Sequence, residues 1–183
     1  DYLVPGENKL AAQVFQYTNA SWMEDQDFFR FSGIFREVFL YAVPAVHVRD
    51  MKITTPLGDD FASGEVRVAL EALGEGHAAL RLSDGQRQIA AASLTLPAER
   101  EAVLPVDAPR LWSAEKPFLY DLSIEIFDAS GALTETVWEK VGMRRFEIRD
   151  GLMLLNGKRI RFHGTNRHEF SSRTGRCVTE AET

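Results

Sequence analysis

Hydrophobic alternation at a period of two limits the fold of this chain more than any other feature. Val66, Val68 and Leu70 interleave with Arg67, Ala69 and Glu71, and Leu122, Ile124 and Ile126 interleave with Asp121, Ser123 and Glu125. Successive side chains of a strand point to opposite faces, so this spacing gathers the apolar residues on one side and predicts half-buried antiparallel strands. Turn signals separate them. Leu80 and Leu82 lead into Asp84-Gly85, and Ile89 follows on the return, which predicts a hairpin over 78–92. Ala129-Ser130-Gly131 turns the chain toward Leu133, Thr136, Val137 and Trp138. No segment sustains a helical repeat; the nearest, Ala98 to Val103, lies between Pro97 and Pro105, which limit any helix. About seven short strands between Val46 and Ile148 predict an immunoglobulin-like sandwich of about 100 residues, with Trp112 and Trp138 read as core.

Composition narrows the partners. The 183 residues are 45% hydrophobic and 26% charged, ordinary for a soluble domain with a real core. A net charge of −6 and the lack of any basic run argue against nucleic acid or an anionic membrane as partner. No apolar stretch approaches the roughly 18 to 20 residues of a membrane span. Cys177 is the single cysteine, so no intrachain disulfide forms and it reads as a plain free thiol.

Both ends have a different grammar. Pro5-Gly6-Glu7-Asn8 is a turn, Lys9 to Tyr17 and Gly33 to Tyr41 are strand-like, and an aromatic, acidic loop (Trp22, Glu24, Asp25, Asp27, Phe28, Phe29) lies between them. These strands read as the last part of a β-domain. Near the other end, Asp150-Gly151 makes a turn, Leu152 to Leu155 is an apolar run, and Asn156-Gly157 makes a second tight turn. Lys158 to His163 alternates again and exits at Gly164 into Asn166-Arg167-His168-Glu169. Polar groups gathered where a strand ends are the habit of the catalytic face of an α/β barrel, so this strand is expected to be the first of one. A site of that kind draws on other loops, and the chain is expected to be an internal piece of an enzyme, with Asp1 not its natural start.

Five stretches, Pro5-Gly6-Glu7-Asn8-Lys9-Leu10-Ala11, Glu24-Asp25-Gln26-Asp27, Ser32-Gly33-Ile34-Phe35-Arg36, Leu111-Trp112-Ser113-Ala114-Glu115 and Asp150 to Glu169, resemble glycoside hydrolase family 2 in order and spacing. Within that family they are most similar to the long bacterial β-galactosidases of the lacZ type. Asn166-Arg167-His168-Glu169 resembles the galactosidase version of its motif; β-glucuronidases usually carry Lys before the His-Glu pair, and β-mannosidases lose the motif. The resemblance implies a mainly β chain: residues 1–44 end a sugar-binding jelly-roll domain, 45–147 form the immunoglobulin-like β-sandwich, and 148–183 open the catalytic (β/α)8 TIM barrel.

The same resemblance implies retaining hydrolysis of terminal β-galactosides such as lactose, by two carboxylates about 5 to 5.5 Å apart. Neither family glutamate matches a position in this sequence, and Glu169 matches neither, so the isolated chain is expected to be inactive. Asp27 matches the aspartate that lines the galactose pocket and helps hold a sodium ion, a role suited to a hard cation and an oxygen ligand. His168 matches the histidine that contacts galactose hydroxyls in the transition state, since imidazole can donate to one hydroxyl and accept from another. Asn166 is grouped with them as substrate-binding, although it and Arg167 suit orienting the loop better than binding sugar directly. Sodium and magnesium belong to the intact parent, with none expected on this piece; the parent is expected to be a cytoplasmic homo-oligomer. His47, His77 and His163 have no partners at metal spacing. Two other readings stay open: a non-catalytic carbohydrate-binding or spacer domain, and the same region of a β-glucuronidase.

Overall fold

The computed structural model describes residues 3–24, 32–34, 37–166, 168–175 and 178–182, apart from the side chains at 22, 24 and 182. By compactness the chain divides into two units, Ala42–Gly164 and Asp1–Tyr41 with Thr165–Thr183. No helix among the described residues is long and apolar enough to cross a membrane.

The unit Ala42–Gly164 is a sandwich with a short extension. Its strands are β1 (His47–Thr54), β2 (Ser63–Leu73), β3 (Gly76–Asp84), β4 (Arg87–Leu96), β5 (Glu101–Asp107), β6 (Tyr120–Asp128) and β7 (Leu133–Val141). They pair as a three-stranded sheet, β1-β2-β5, and a four-stranded sheet, β4-β3-β6-β7. The sandwich expected from the alternation is therefore present. It differs from a constant-type immunoglobulin domain in one respect: β4 stays beside β3 at the edge of the larger sheet and does not join β1 and β2. The inward residues are those of the period-two pattern. Val66, Val68, Leu70, Leu80, Leu82, Leu104, Leu122, Ile124 and Ile126 are buried between the sheets.

Local chemistry fixes the edges and corners. The segment around Ala98 to Val103 is not helical; Glu101–Asp107 is strand β5, and Pro105 is tolerated there because β5 is an edge strand. At the turn between β3 and β4, Asp84 pairs with Arg87, which leaves Gly85 and Gln86 as the loop, and Gly85 has φ +60°. The tight turn forms as expected, one residue later than Asp84-Gly85 suggested. Gly76 opens β3 so close to β6 that a Cβ there would lie 1.9 Å from the Phe127 carbonyl oxygen. Where β1 and β7 approach, the Glu135 carboxylate accepts from the Val48 N–H at 2.7 Å, beside a register break in β1. The Tyr120 hydroxyl accepts from the Arg110 N–H at 2.8 Å, the arrangement of a tyrosine corner at the start of β6.

The extension is a three-stranded meander of β8 (Phe146–Arg149), β9 (Leu152–Leu155) and β10 (Lys158–Arg159), in the order β10-β9-β8. Asp150-Gly151 and Asn156-Gly157 have positive φ at both central positions, 52° and 73°, then 51° and 74°. That is what type I′ hairpin turns require. The strand expected from Lys158 to His163 is shorter: it ends at Arg159, with one further bond from the Ile160 N–H to the Met153 carbonyl. β9 has only four residues, so the ladder has no partner to offer beyond that point.

Trp138 is not core. It stands on β7 opposite Ser123 and is 69% exposed. Alternation gives the two faces of a strand and not which of them is covered, and on β7 the buried face carries Val137 and Val141 at the sheet rim. Trp112 is half-buried in the loop before β6.

In the other unit the regular structure among the described residues is a four-residue helix, Ser21–Glu24, and a 3-10 turn, Glu180–Glu182. The strands expected at Lys9 to Tyr17 and Gly33 to Tyr41 are absent among the described residues. An apolar alternation becomes a strand only where a neighbour completes its ladder. Without that, Leu40 and Tyr41 stand 87% and 80% exposed.

Candidate functional site

Asp27 lies outside the described residues, as do Asp25, Phe28, Phe29, Arg167 and Cys177. Asn166 and His168 are described, and both are exposed on irregular chain after the meander. The chain behind them is turned by a short bridge in which Ser171 and Gly175 exchange backbone bonds of 2.8 and 2.9 Å. The Ser171 hydroxyl accepts from the N–H groups of Arg173 and Thr174, and Gly175 supplies the φ of +64° that the turn needs. An amide and an imidazole each offer a donor and an acceptor, which suits them to sugar hydroxyls.

The remaining histidines of the sandwich are engaged elsewhere. His47 Nδ1 lies 2.7 Å from the Pro44 carbonyl oxygen, and His77 stacks on Phe127 with ring centres 4.6 Å apart. Among the described residues no group of three His, Cys, Asp or Glu side chains could hold a metal ion.

The best-built polar junction joins the sandwich to the meander that leads toward His168. Asn156 carries it. Its Oδ1 accepts from the Arg145 N–H at 2.9 Å, its backbone N–H donates to the Arg145 carbonyl at 2.8 Å, and its Nδ2 donates to the Trp112 carbonyl at 3.0 Å. The Trp112 N–H in turn donates to the Met143 carbonyl, and Met143 is fully buried. Arg145 adds an ion pair with Asp59 at 3.1 Å and lays its guanidinium 4.4 Å above the Phe61 ring. Arg144 stacks over Trp112 at 4.7 Å. Sequence reasoning recognised Asn156 only as a turn residue. Its cross-links to Trp112 and Arg145 depend on segments forty-four and eleven residues away, and no local signal reports them.

Residues 46–144 match the model of glycosyl hydrolases family 2, residues 1–44 match its sugar binding domain, and residues 146–183 match its TIM barrel domain. A β-galactosidase of Clostridium acetobutylicum is 47% identical over 100% of this chain and 21% of its own length. One from Halalkalibacterium halodurans is 45% identical over 99% of this chain and 18% of its own. The chain thus spans about a fifth of the length of the curated relatives it matches. Among solved structures, a β-glucuronidase from Ruminococcus gnavus superposes with a TM-score of 0.66 at 26% identity, over 75% of this chain and 22% of that one. With a family model over the whole sandwich and relatives this similar along its full length, the chain belongs to glycosyl hydrolase family 2.

Proposed function

We propose that this chain acts as part of a retaining β-galactosidase, supplying the central sandwich and one border of the sugar pocket. The observation that carries this reading is the 47% identity to a β-galactosidase along the whole chain, against 26% to the β-glucuronidase of similar fold. The exposed Leu40 and Tyr41 support it too, because apolar surface of that kind serves contact with further protein.

In this reading Asp27 and His168 bind galactose hydroxyls, with Asn166 beside them. The two carboxylates that break the glycosidic bond, held about 5 to 5.5 Å apart, come from outside these 183 residues. Sodium at Asp27 rests on the motif resemblance, with which the donor chemistry, oxygen for a hard cation, agrees, and magnesium is assigned only to the parent; no step is derived through either ion. The parent is a cytoplasmic homo-oligomer acting on β-galactosides, with no nucleic-acid or membrane partner. For the sandwich alone, the proposal is a spacer. Its interior is filled by aliphatic side chains and contains no buried polar residue among those described, which favours support over chemistry.

Hydrolysis of chromogenic β-galactoside and β-glucuronide by the enzyme that carries this segment tests the assignment. The galactoside is expected to be turned over and the glucuronide to be a poor substrate. The isolated 183-residue chain is expected to be inactive on both. Preference for the glucuronide, or galactoside turnover mapped to the isolated chain, contradicts it.

A further inference from the structure

The meander has two turns of the same type, and the sandwich treats them differently. At Asp150-Gly151 a Cβ built on the glycine would meet nothing within 4 Å. At Asn156-Gly157, which opens β10, three separate segments of the sandwich unit converge. The Trp112 carbonyl comes from the loop before β6, the Arg145 backbone from the linker after β7, and the Phe61 ring from the loop between β1 and β2. The first two hold the Asn156 amide. The third bears on Gly157, where a Cβ would lie 3.0 Å from Phe61 Cε2. Phe61 has φ +59°, a left-handed conformation that bulky side chains rarely take. Its loop is closed around it by the Gly58 N–H donating to the Ser63 carbonyl at 2.9 Å and the Phe61 N–H donating to the Gly58 carbonyl at 3.0 Å.

Turn formation alone does not call for this grip, because Asp150-Gly151 adopts the same positive φ values without it. What the grip adds is a fixed place for the end of the hairpin from which the chain continues to Asn166 and His168, ten and twelve residues after Asn156. We propose that Asn156 is a positioning residue for the sugar site, acting through His168, with Phe61 as its support from the sandwich. The inference deepens the galactosidase reading and rests on it. A side chain that binds reacting sugar has to be held within about 0.5 Å of its productive place. A displacement of about 1 Å, set by a residue far from the chemistry, can lower the rate about 100-fold. The bonds that anchor Asn156 all lie within the one compact unit Ala42–Gly164, so they are complete in this chain.

The test is kcat and KM for a chromogenic β-galactoside in the enzyme that carries this segment, at a temperature where circular dichroism shows each variant folded. Asn156→Ala is expected to lower kcat about tenfold with KM changed less than about twofold, and Asn156→Asp to regain part of the loss. Phe61→Gly removes the ring while relieving the left-handed backbone, and is expected to lower kcat in the same direction. Tyr120→Phe, which removes a hydrogen bond elsewhere in the sandwich, should leave kcat unchanged. In a His168→Ala background, Asn156→Ala should change kcat less than about twofold, because both act through one contact. Unchanged kcat in whichever of Asn156→Ala and Phe61→Gly keeps its fold overturns the proposal. So does an undiminished effect of Asn156→Ala in the His168→Ala background, or an equal fall in Tyr120→Phe. Those results leave the galactosidase reading standing, whereas normal turnover in His168→Ala removes His168 from the sugar site and this inference with it.

Discussion

At the scale of single residues, fold and site depend on side chains that bond main-chain groups far away in sequence. Asn156 is the clearest case. Its amide satisfies the Arg145 N–H and the Trp112 carbonyl at once, while its backbone adopts the positive φ of the turn. Asn156→Ala leaves both groups without partners and puts a Cβ residue with no compensating side chain at φ +51°, so a loss of about 1–3 kcal/mol is expected by urea denaturation. Asn156→Asp keeps the acceptor toward Arg145 but turns an oxygen toward the Trp112 carbonyl, and should recover only part of that loss. Equal stability of wild type and Asn156→Ala contradicts the role. Tyr120 is the counterpart at the sandwich corner. Tyr120→Phe keeps the edge-on contact with Phe118 and removes only the acceptor for the Arg110 N–H, so about 0.5–1.5 kcal/mol should be lost. None of these partnerships was legible beforehand, because sequence spacing names the turn or the strand and not the distant group its side chain meets.

Elements were far more legible where pattern and turn chemistry agreed. The hairpins around Asp150-Gly151 and Asn156-Gly157 form as the Asx-Gly pairs require, and β2, β3 and β6 bury the residues their alternation selected. Legibility failed where an element depends on a neighbour: among the described residues, Lys9 to Tyr17 has the strand pattern without a ladder, and Trp138 sits on a face that no second layer covers. The β6–β7 turn gives a prediction at this scale. The Asp128 carboxylate accepts from the Ser130 hydroxyl at 2.6 Å and from the N–H groups of Ser130 and Ala132 at 2.9 and 3.0 Å. The Ser130 hydroxyl above all, then the Ala132 N–H, lowers its pKa below the ordinary 3.8. A carboxyl that is more acidic folded than unfolded stabilises the folded state above the unfolded value, and that contribution fades as pH falls through the folded one. Wild type should therefore be more stable than Asp128→Asn at neutral pH, with the difference shrinking below about pH 4. A difference that is constant from pH 7 to pH 3 contradicts this.

For the whole molecule, family membership and architecture stand on the sandwich and on likeness along the full chain, while the sugar site is a proposal drawn from Asp27, Asn166 and His168. The site was less legible than the fold for a physical reason. A sandwich is specified by its own alternation, whereas a pocket is specified by which loops meet, and the sequence of each loop is silent on its neighbours. Exposed Asn166 and His168 fit hydroxyl recognition but cannot alone define a reaction. The most direct test is the kcat/KM for a chromogenic β-galactoside of the enzyme carrying this segment, beside its Asp27→Ala and His168→Ala variants. Each substitution is expected to lower it by about 100-fold or more, with much of the loss in kcat for His168→Ala if, as proposed, its bonds to the sugar tighten in the transition state. Near-normal values in both variants, with the fold intact, contradict the assignment of this segment to the sugar pocket.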